Sequence, residues 1–339
     1  MTARIGFIGA GKMAEALMAG LLAKGVCSKD DIIACAPSEG TRRHISETYG
    51  IGMFQTATEV VSRVDEVVLA VKPAQVRTVM VDEGAASAFR PGTILLSVVA
   101  GLTVSGLKSY VPDAKIVRVM PNHCVAVLEG AMGYTTDGTL TPEELDGVSS
   151  ILGSVGLAVQ VPEEKMDAIT GLAGSSPAFI YQVIDAMADG GVLNGIPRKD
   201  AITLAAQSVL GAAKMVLETG RHPDQLKDEV CSPGGTTIEG VRAAEDMGLR
   251  SAMIAAVDAA VSKSREMSRR SAPEERLREA HDHPGTVGPY RSGIPVQVLL
   301  VGDGGVHHPD ALLLRLPQPR IPLLLIGDQH DLVDAVHQR

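Results

Sequence analysis

The chain has 339 residues, enough for about two domains, and 45% of them are hydrophobic, enough for a sizeable core. Aromatic residues make up only 3% and Trp is absent, so small aliphatic side chains must fill that core. The net charge of −9 excludes general nucleic-acid binding, and no uninterrupted apolar run approaches the ~18 residues of a membrane span.

Residues 4–14 read Arg-Ile-Gly-Phe-Ile-Gly-Ala-Gly-Lys-Met-Ala. A short apolar strand (Ile5, Phe7, Ile8) runs into Gly9-x-Gly11-x-x-Ala14, and a helical pattern follows. In that strand–turn–helix context the glycines point to a dinucleotide site. Gly9 permits the tight turn, Gly11 lets a diphosphate approach the backbone, and Ala14 lets helix and strand pack closely. The amides and positive dipole at the helix start, over Gly9, Ala10, Gly11, Lys12 and Met13, hold phosphate well. Strand residues begin so early that no signal peptide is expected, and the expected location is cytoplasmic. The four cysteines (Cys27, Cys35, Cys124, Cys231) show no metal-ligand spacing and fit a reducing compartment.

Further strands are predicted at Ile32 to Ala36, Glu66 to Val71, Thr93 to Val99 and Lys115 to Met120. Ser38 is placed to cap a helix running to Tyr49. Strands separated by helical stretches predict an α/β fold with a doubly wound, mostly parallel sheet. Ligands bind such sheets at the carboxyl ends of the strands, here Gly9–Gly11, Ala36–Ser38, Val71-Lys72-Pro73 and Ala100-Gly101. The second strand ends in Ala36-Pro37-Ser38, without the acid that grips an NAD ribose, and Thr41, Arg42 and Arg43 follow. A 2′-phosphate suits that set, so NADPH is the expected cofactor, with NADH usable. Arg42 and Arg43 also fit a solvated helix face.

From about Glu163 the strand signals stop. Helices are predicted over Ser176 to Leu193, Pro197 to Thr219, roughly Gly234 to Asp246, and Leu249 to Arg269. About 105 residues carrying this much Ala, Val and Met cannot hide their apolar faces alone, which predicts an interlocked homodimer. Between the helices, Ser232-Pro233-Gly234-Gly235-Thr236-Thr237 opens a helical pattern. Its exposed amides make a nest for a carboxylate, and the two Thr add hydroxyls. The same residues also fit a plain helix cap. Gly171 to Ala178, with Ser175 and Ser176, forms another small-residue loop that fits either a pocket wall or a hinge.

No Ser/His/Asp arrangement and no paired catalytic carboxylates stand out. His222, beside Pro223, reads as a surface helix start, and Cys231 as a packed small residue. A site of amides and hydroxyls suits a substrate needing little acid–base help. A cyclic imine is one, because its iminium accepts hydride directly. Composition changes near Ser271: all 13 Met lie before it, and eight of the 19 Pro lie after it. A poorly ordered tail is expected there, with His307-His308 solvated and no metal bound.

Residues 1 to about 270 resemble pyrroline-5-carboxylate reductase. The resemblance rests on Gly6 to Ala14, Ala70 to Pro73, Gly171 to Ala178, Asp189 to Gly191, Leu210 to Met215, and above all His222-Pro223 through Leu226-Lys227-Asp228 to Ile238. It implies reduction of 1-pyrroline-5-carboxylate to L-proline by NAD(P)H. It further implies a Rossmann domain (1–161) and an all-helical dimerisation domain (162–270), with 271–339 an atypical tail. Such dimers often assemble into rings, and the pocket lies between the cofactor domain and helices of both subunits. By position, Gly234, Gly235, Thr236 and Thr237 hold the substrate carboxylate, with the Thr237 hydroxyl at the ring nitrogen as the catalytic group. Ser175 and Ser176 lie near the same pocket, and Lys72-Pro73 and Ala100-Gly101 border the nicotinamide side. Ala36 before Pro37, Ala57, and His123-Cys124 depart from the family pattern at the adenosine end.

Two other readings compete. A β-hydroxyacid dehydrogenase shares the expected layout, but Ile180 stands where that group carries its Lys. A catalytically silent dinucleotide-binding protein is the alternative from another class.

Overall fold

A computed structural model describes residues 5–271 of the chain. The expected tail from 272 onward, His307-His308 included, lies outside the described residues.

Strand β1 (Ile5–Ile8) is buried throughout and feeds α1 (Lys12–Ala23). Then come β2 (Ile32–Cys35), α2 (Glu39–Tyr49), β3 (Gly52–Phe54), α3 (Ala57–Val61) and β4 (Glu66–Leu69). The sheet part continues with β5 (Ile94–Ser97), α4 (Val104–Lys108), β6 (Lys115–Met120), β7 (Gly130–Thr136), α5 (Pro142–Gly153) and β8 (Gly156–Gln160). Spatial order in the eight-stranded sheet is β3-β2-β1-β4-β5-β6-β7-β8. Every neighbouring pair is parallel except β6 and β7, where Val117 faces Thr136 and Met120 faces Gly133. The strand order reverses at β1, which pairs β2 on one side and β4 on the other. That reversal opens a crevice at the carboxyl edge, where a doubly wound sheet takes its ligand.

Alternate residues of each strand serve opposite faces. Phe7, Val68, Leu96, Val117 and Val119 pack with Leu17 and Leu21 of α1 and Leu152 of α5. Ile8, Leu69, Leu95 and Ile116 pack with Val60, Val64 and Met80 on the other side. The predicted cap is present: the Ser38 Oγ accepts from the Thr41 amide at 3.4 Å.

A turn over Glu163–Lys165 and the short α6 (Met166–Ile169) lead out of the sheet. After them come α7 (Ser176–Leu193), α8 (Arg198–Thr219), α9 (Pro223–Val230), α10 (Thr236–Asp246) and α11 (Leu249–Ser271). Helices α7 and α8 form a hairpin whose seam buries only Ala188, Ala201 and Ala205, with Ile184 beside them. Small residues let the backbones approach closely, at the cost of little buried area. Tyr181, Leu193, Leu204, Leu210, Met215 and Leu217 stay exposed, Leu193 at 87% and Leu217 at 72%. By length and composition α8 is apolar enough to cross a membrane.

Three strands escape the sequence reading. Strand β3 is three residues long and begins with Gly52, so it shows no apolar run. In β7 two glycines and two threonines mask the strand, and β8 is an edge strand whose Leu157 and Val159 stay exposed.

Candidate active site

The β1–α1 turn is held by the sheet. Gly9 N donates to Cys35 O at 3.1 Å and Ala70 N donates to Ile8 O at 2.9 Å. Gly9 has φ +93°, and a Cβ there would lie 2.8 Å from Ala70 O, so only glycine fits. Gly11 is extended and precedes α1 without any side-chain cap. The first amides of α1, at Lys12, Met13 and Ala14, therefore lack intrahelical acceptors. A Cβ on Gly11 would meet nothing within 4 Å. Gly11 thus leads into those amides from open space within a cleft, as a cradle for a diphosphate requires.

A cleft of 690 Å³ extends from this turn, lined by Gly9, Ala10, Gly11, Ala36, Ser38, Val71 and Lys72 among the expected residues. That volume suits a large cofactor. Lys12 and Met13 do not line it. The Lys12 side chain is 97% exposed and pairs with Glu15 at 3.4 Å, and Met13 packs on the core. Arg42 does not line it either, because its guanidinium is taken up by the backbone: Nη1 donates to Ala36 O and Pro37 O, both at 2.7 Å. It braces the turn after β2, while Arg43 pairs with Glu39 at 2.9 Å. Pro73, Ala100 and Gly101 line an adjoining cavity of 160 Å³.

The sequence reading misses several lining residues. The sequence pattern marks Thr41 but not Gln55, Thr56, Gln75, Thr78, Val79 or Glu83, and Ala57 lines the same cleft. Gln55 and Thr56 follow the unforeseen β3. Glu83 follows a widened turn in which its amide donates to Thr78 O, five residues back, at 2.8 Å. Such wide turns recur at functional sites.

Two electrostatic features frame the cleft. Burial pushes the Cys35 thiol up to about 11, which leaves it a neutral lining group. Glu15 on α1 accepts from His44 Nε2 at 2.7 Å and from the Tyr49 hydroxyl at 3.2 Å, both on α2. The His44 hydrogen bond, against the effect of burial, holds the Glu15 carboxyl below its ordinary value. The two helices flanking the crevice are tied together there.

A second cavity of 320 Å³ lies where the sheet meets the helices. Ala100, Gly101 and Met120 come from the strand ends, Thr170 and Ser175 from the start of the helical part, and Ala260, Lys263, Ser264 and Met267 from α11. The residues 170–174 form another widened turn, closed by Ser175 N on Thr170 O at 2.9 Å. Ser175 faces this cavity, and its Oγ donates to Thr170 O at 3.0 Å. Ser176 is half-buried, lines neither cavity, and donates to Leu172 O.

The Gly234–Thr237 turn forms as the sequence predicts. Gly234 has φ +64°, Gly235 N donates to Ser232 O at 3.0 Å, and Gly235 precedes α10 without a side-chain cap. Gly234, Thr236 and Thr237 are exposed, and none of the four lines either cavity. Within one chain the nest is built and faces outward. His222 is the exposed residue before α9, and its Nδ1 accepts from the Asp224 amide at 3.2 Å.

Two family models match the chain. Residues 163–267 match pyrroline-5-carboxylate reductase dimerisation, and residues 4–101 match an NADP oxidoreductase, coenzyme F420-dependent. The chain is similar to pyrroline-5-carboxylate reductase of Methanosarcina acetivorans, 44% identical over 268 residues, which cover 79% of this chain and 98% of the relative. The Escherichia coli K12 enzyme of the same name is 40% identical over 270 residues, 79% of this chain and 100% of the relative. Among solved structures, the pyrroline-5-carboxylate reductase of Coxiella burnetii aligns with TM-score 0.75 and 33% identity, covering 79% of this chain and 99% of that one. Plasmodium falciparum pyrroline carboxylate reductase, solved with NADP bound, aligns with TM-score 0.68 and 29% identity, covering 78% of this chain and 98% of that one.

Proposed function

The chain belongs to the pyrroline-5-carboxylate reductase family, and from that premise we propose that it reduces the C=N bond of 1-pyrroline-5-carboxylate to L-proline, the last step of proline biosynthesis, with NADPH as reductant. The observation that carries the reading is a pair of uncapped helix starts, at Gly11 and at Gly235. Each offers free amides and a positive dipole end, one to a diphosphate and the other to a carboxylate.

The cleft fits the cofactor, because Gly9 adopts the turn it needs and the space beside Gly11 is open. Gly9, Ala10, Gly11 and the amides of Lys12 and Met13 would hold the diphosphate. Ala36, Ser38 and Arg42 would border the adenosine ribose, and Val71, Lys72, Pro73, Ala100 and Gly101 the path to the nicotinamide. When bound, NADPH supplies the hydride and its electron pair to the imine carbon. The chain's own residues orient and exclude. Gly234, Gly235 and Thr236 take the substrate carboxylate, and Ser175 forms the facing wall beside Ala100-Gly101. The Thr237 hydroxyl meets the ring nitrogen and relays to it the solvent proton that completes the amine, taking one proton from water as it gives one up.

The nest and the 320 Å³ cavity come from different parts of the chain, and the apolar sides of α7 and α8 are bare. Both facts support a homodimer in which α10 of one copy closes the cavity of the other. Further assembly of dimers into a ring is part of the same proposal.

The direct test is oxidation of NADPH followed by absorbance, with pyrroline-5-carboxylate added last and proline measured as product. Turnover that requires the imine is expected. Cofactor binding without turnover would leave a silent dinucleotide-binding protein instead. Cofactor preference has its own test. Arg42→Ala is expected to raise the KM for NADPH about tenfold, the scale of one charge-assisted hydrogen bond, and that for NADH less. Arg43→Ala should move neither much, because Arg43 is engaged with Glu39. A strong NADH preference unaffected by either substitution contradicts the NADPH assignment.

A further inference from the structure

We propose that Glu163 and Asp167, one helical turn apart where the sheet part passes into the helices, are positioning residues that hold the walls of the 320 Å³ cavity in register. The inference rests on reading that cavity as the place where nicotinamide and imine meet.

Glu163 reaches back into the sheet part. Its Oε1 accepts from the Val104 amide at 2.7 Å and from Arg118 Nη1 at 3.1 Å. Val104 is the first residue of α4, separated by two residues from Ala100 and Gly101, which form one wall. Arg118 lies in β6, two residues before Met120 of the same cavity, and its side chain is only 8% exposed. A positive helix start and a nearly buried guanidinium would repel each other. One carboxylate oxygen satisfies both, so the segment carrying Ala100 and Gly101 is pinned to the strand carrying Met120.

Asp167 secures the opposite wall. Its Oδ1 accepts from Ser264 Oγ at 2.6 Å and from Ser268 Oγ at 3.0 Å, one turn apart on α11. That helix supplies Ala260, Lys263, Ser264 and Met267 to the cavity. Met166, between the two acids, is fully buried and anchors the joint. The chain then enters the widened turn that presents Thr170 and Ser175. Only Ala168 and Ile169 separate Asp167 from Thr170 of the third wall, and neither acid lines the cavity. Their effect on the reaction runs through the groups they hold.

A shift of a reacting partner by about 1 Å costs up to ~10²-fold in rate, so loosening one wall should cost 10- to 100-fold. Glu163→Ala is expected to lower kcat by about 10-fold, and to raise the isotope effect measured with 4-deuterated NADPH. The NADPH dissociation constant, read by cofactor fluorescence, should stay within about twofold, because the 690 Å³ cleft does not include Glu163. Glu163→Gln keeps an acceptor oxygen at the same reach and should recover most of kcat. Asp167→Ala should repeat the alanine pattern. If Glu163→Ala does not fold, Glu163→Asp, one methylene too short to serve both donors, decides by the same readings. Unchanged kcat in folded Glu163→Ala, or in Glu163→Asp where the alanine variant does not fold, overturns the proposal. So does a fall in kcat matched by equal losses in cofactor affinity and melting temperature, which marks a merely structural acid. A wild-type chain that does not reduce the imine overturns the underlying reading instead, and the inference with it.

Discussion

Thr237→Ala is expected to lower kcat for imine reduction by about 10²-fold or more, the cost of removing one donor aimed at developing charge. The nitrogen gains electron density as hydride reaches the neighbouring carbon, and a hydroxyl fixed at that atom acts most strongly at the transition state. The substitution is clean structurally. Thr237 is exposed in the first turn of α10, its hydroxyl caps nothing, and Ala is the better helix former. Melting temperature should therefore hold or rise slightly, and NADPH affinity should not move. Thr237→Ser keeps the hydroxyl and should retain most of the rate. Stopped-flow measurement of NADPH oxidation separates the hydride step from product release. A Thr237→Ala enzyme that reduces the imine at nearly the wild-type rate removes Thr237 from the mechanism.

The two glycines of the first turn should fail in different ways. Gly9→Ala forces a side chain into φ +93° with its Cβ 2.8 Å from Ala70 O and 3.0 Å from Val71 Cγ1. Those neighbours cannot retreat, because Ala70 N is bonded to Ile8 O in the sheet. Backbone strain alone costs about 1–2 kcal/mol, and the clash adds more, so both stability and cofactor binding should be lost. Gly11→Ala meets nothing within 4 Å in the chain itself, so it should fold with an unchanged melting temperature. Its methyl occupies the space proposed for the diphosphate, and NADPH affinity should fall by roughly 10²-fold, about 2.7 kcal/mol. Thermal unfolding with and without NADPH reads both effects. Full cofactor stabilisation of Gly11→Ala would remove the diphosphate from that turn.

The features legible in the sequence are those set by neighbours along the chain. The apolar runs at Ile5, Ile32, Glu66, Ile94 and Lys115 announce buried parallel strands, because such strands are covered on both faces and read as continuous apolar runs. Ser38 announces a helix start through its own side chain. Gly9 and Gly234 announce turns through backbone freedom, and both adopt positive φ. Strands β3, β7 and β8 were invisible for the complementary reason. Each depends on a partner strand and carries glycine or sits at the edge, so its local pattern is weak.

Residue types and order along the chain therefore determined the fold class, the two amide turns and the expected chemistry, because a strand run, a helix cap and a glycine turn are each written within about ten residues. Only the tertiary structure decided which candidates meet. It brought Ala36 and Lys72 to the same cleft as Gly9, turned Ser175 into a cavity and left Ser176 outside, and set Arg42 on two carbonyl oxygens. It also revealed Glu163 and Asp167, ordinary surface acids by sequence, as the joint between sheet and helices. Such meetings depend on strand order and helix docking between residues as far as 101 positions apart, and no local pattern encodes them.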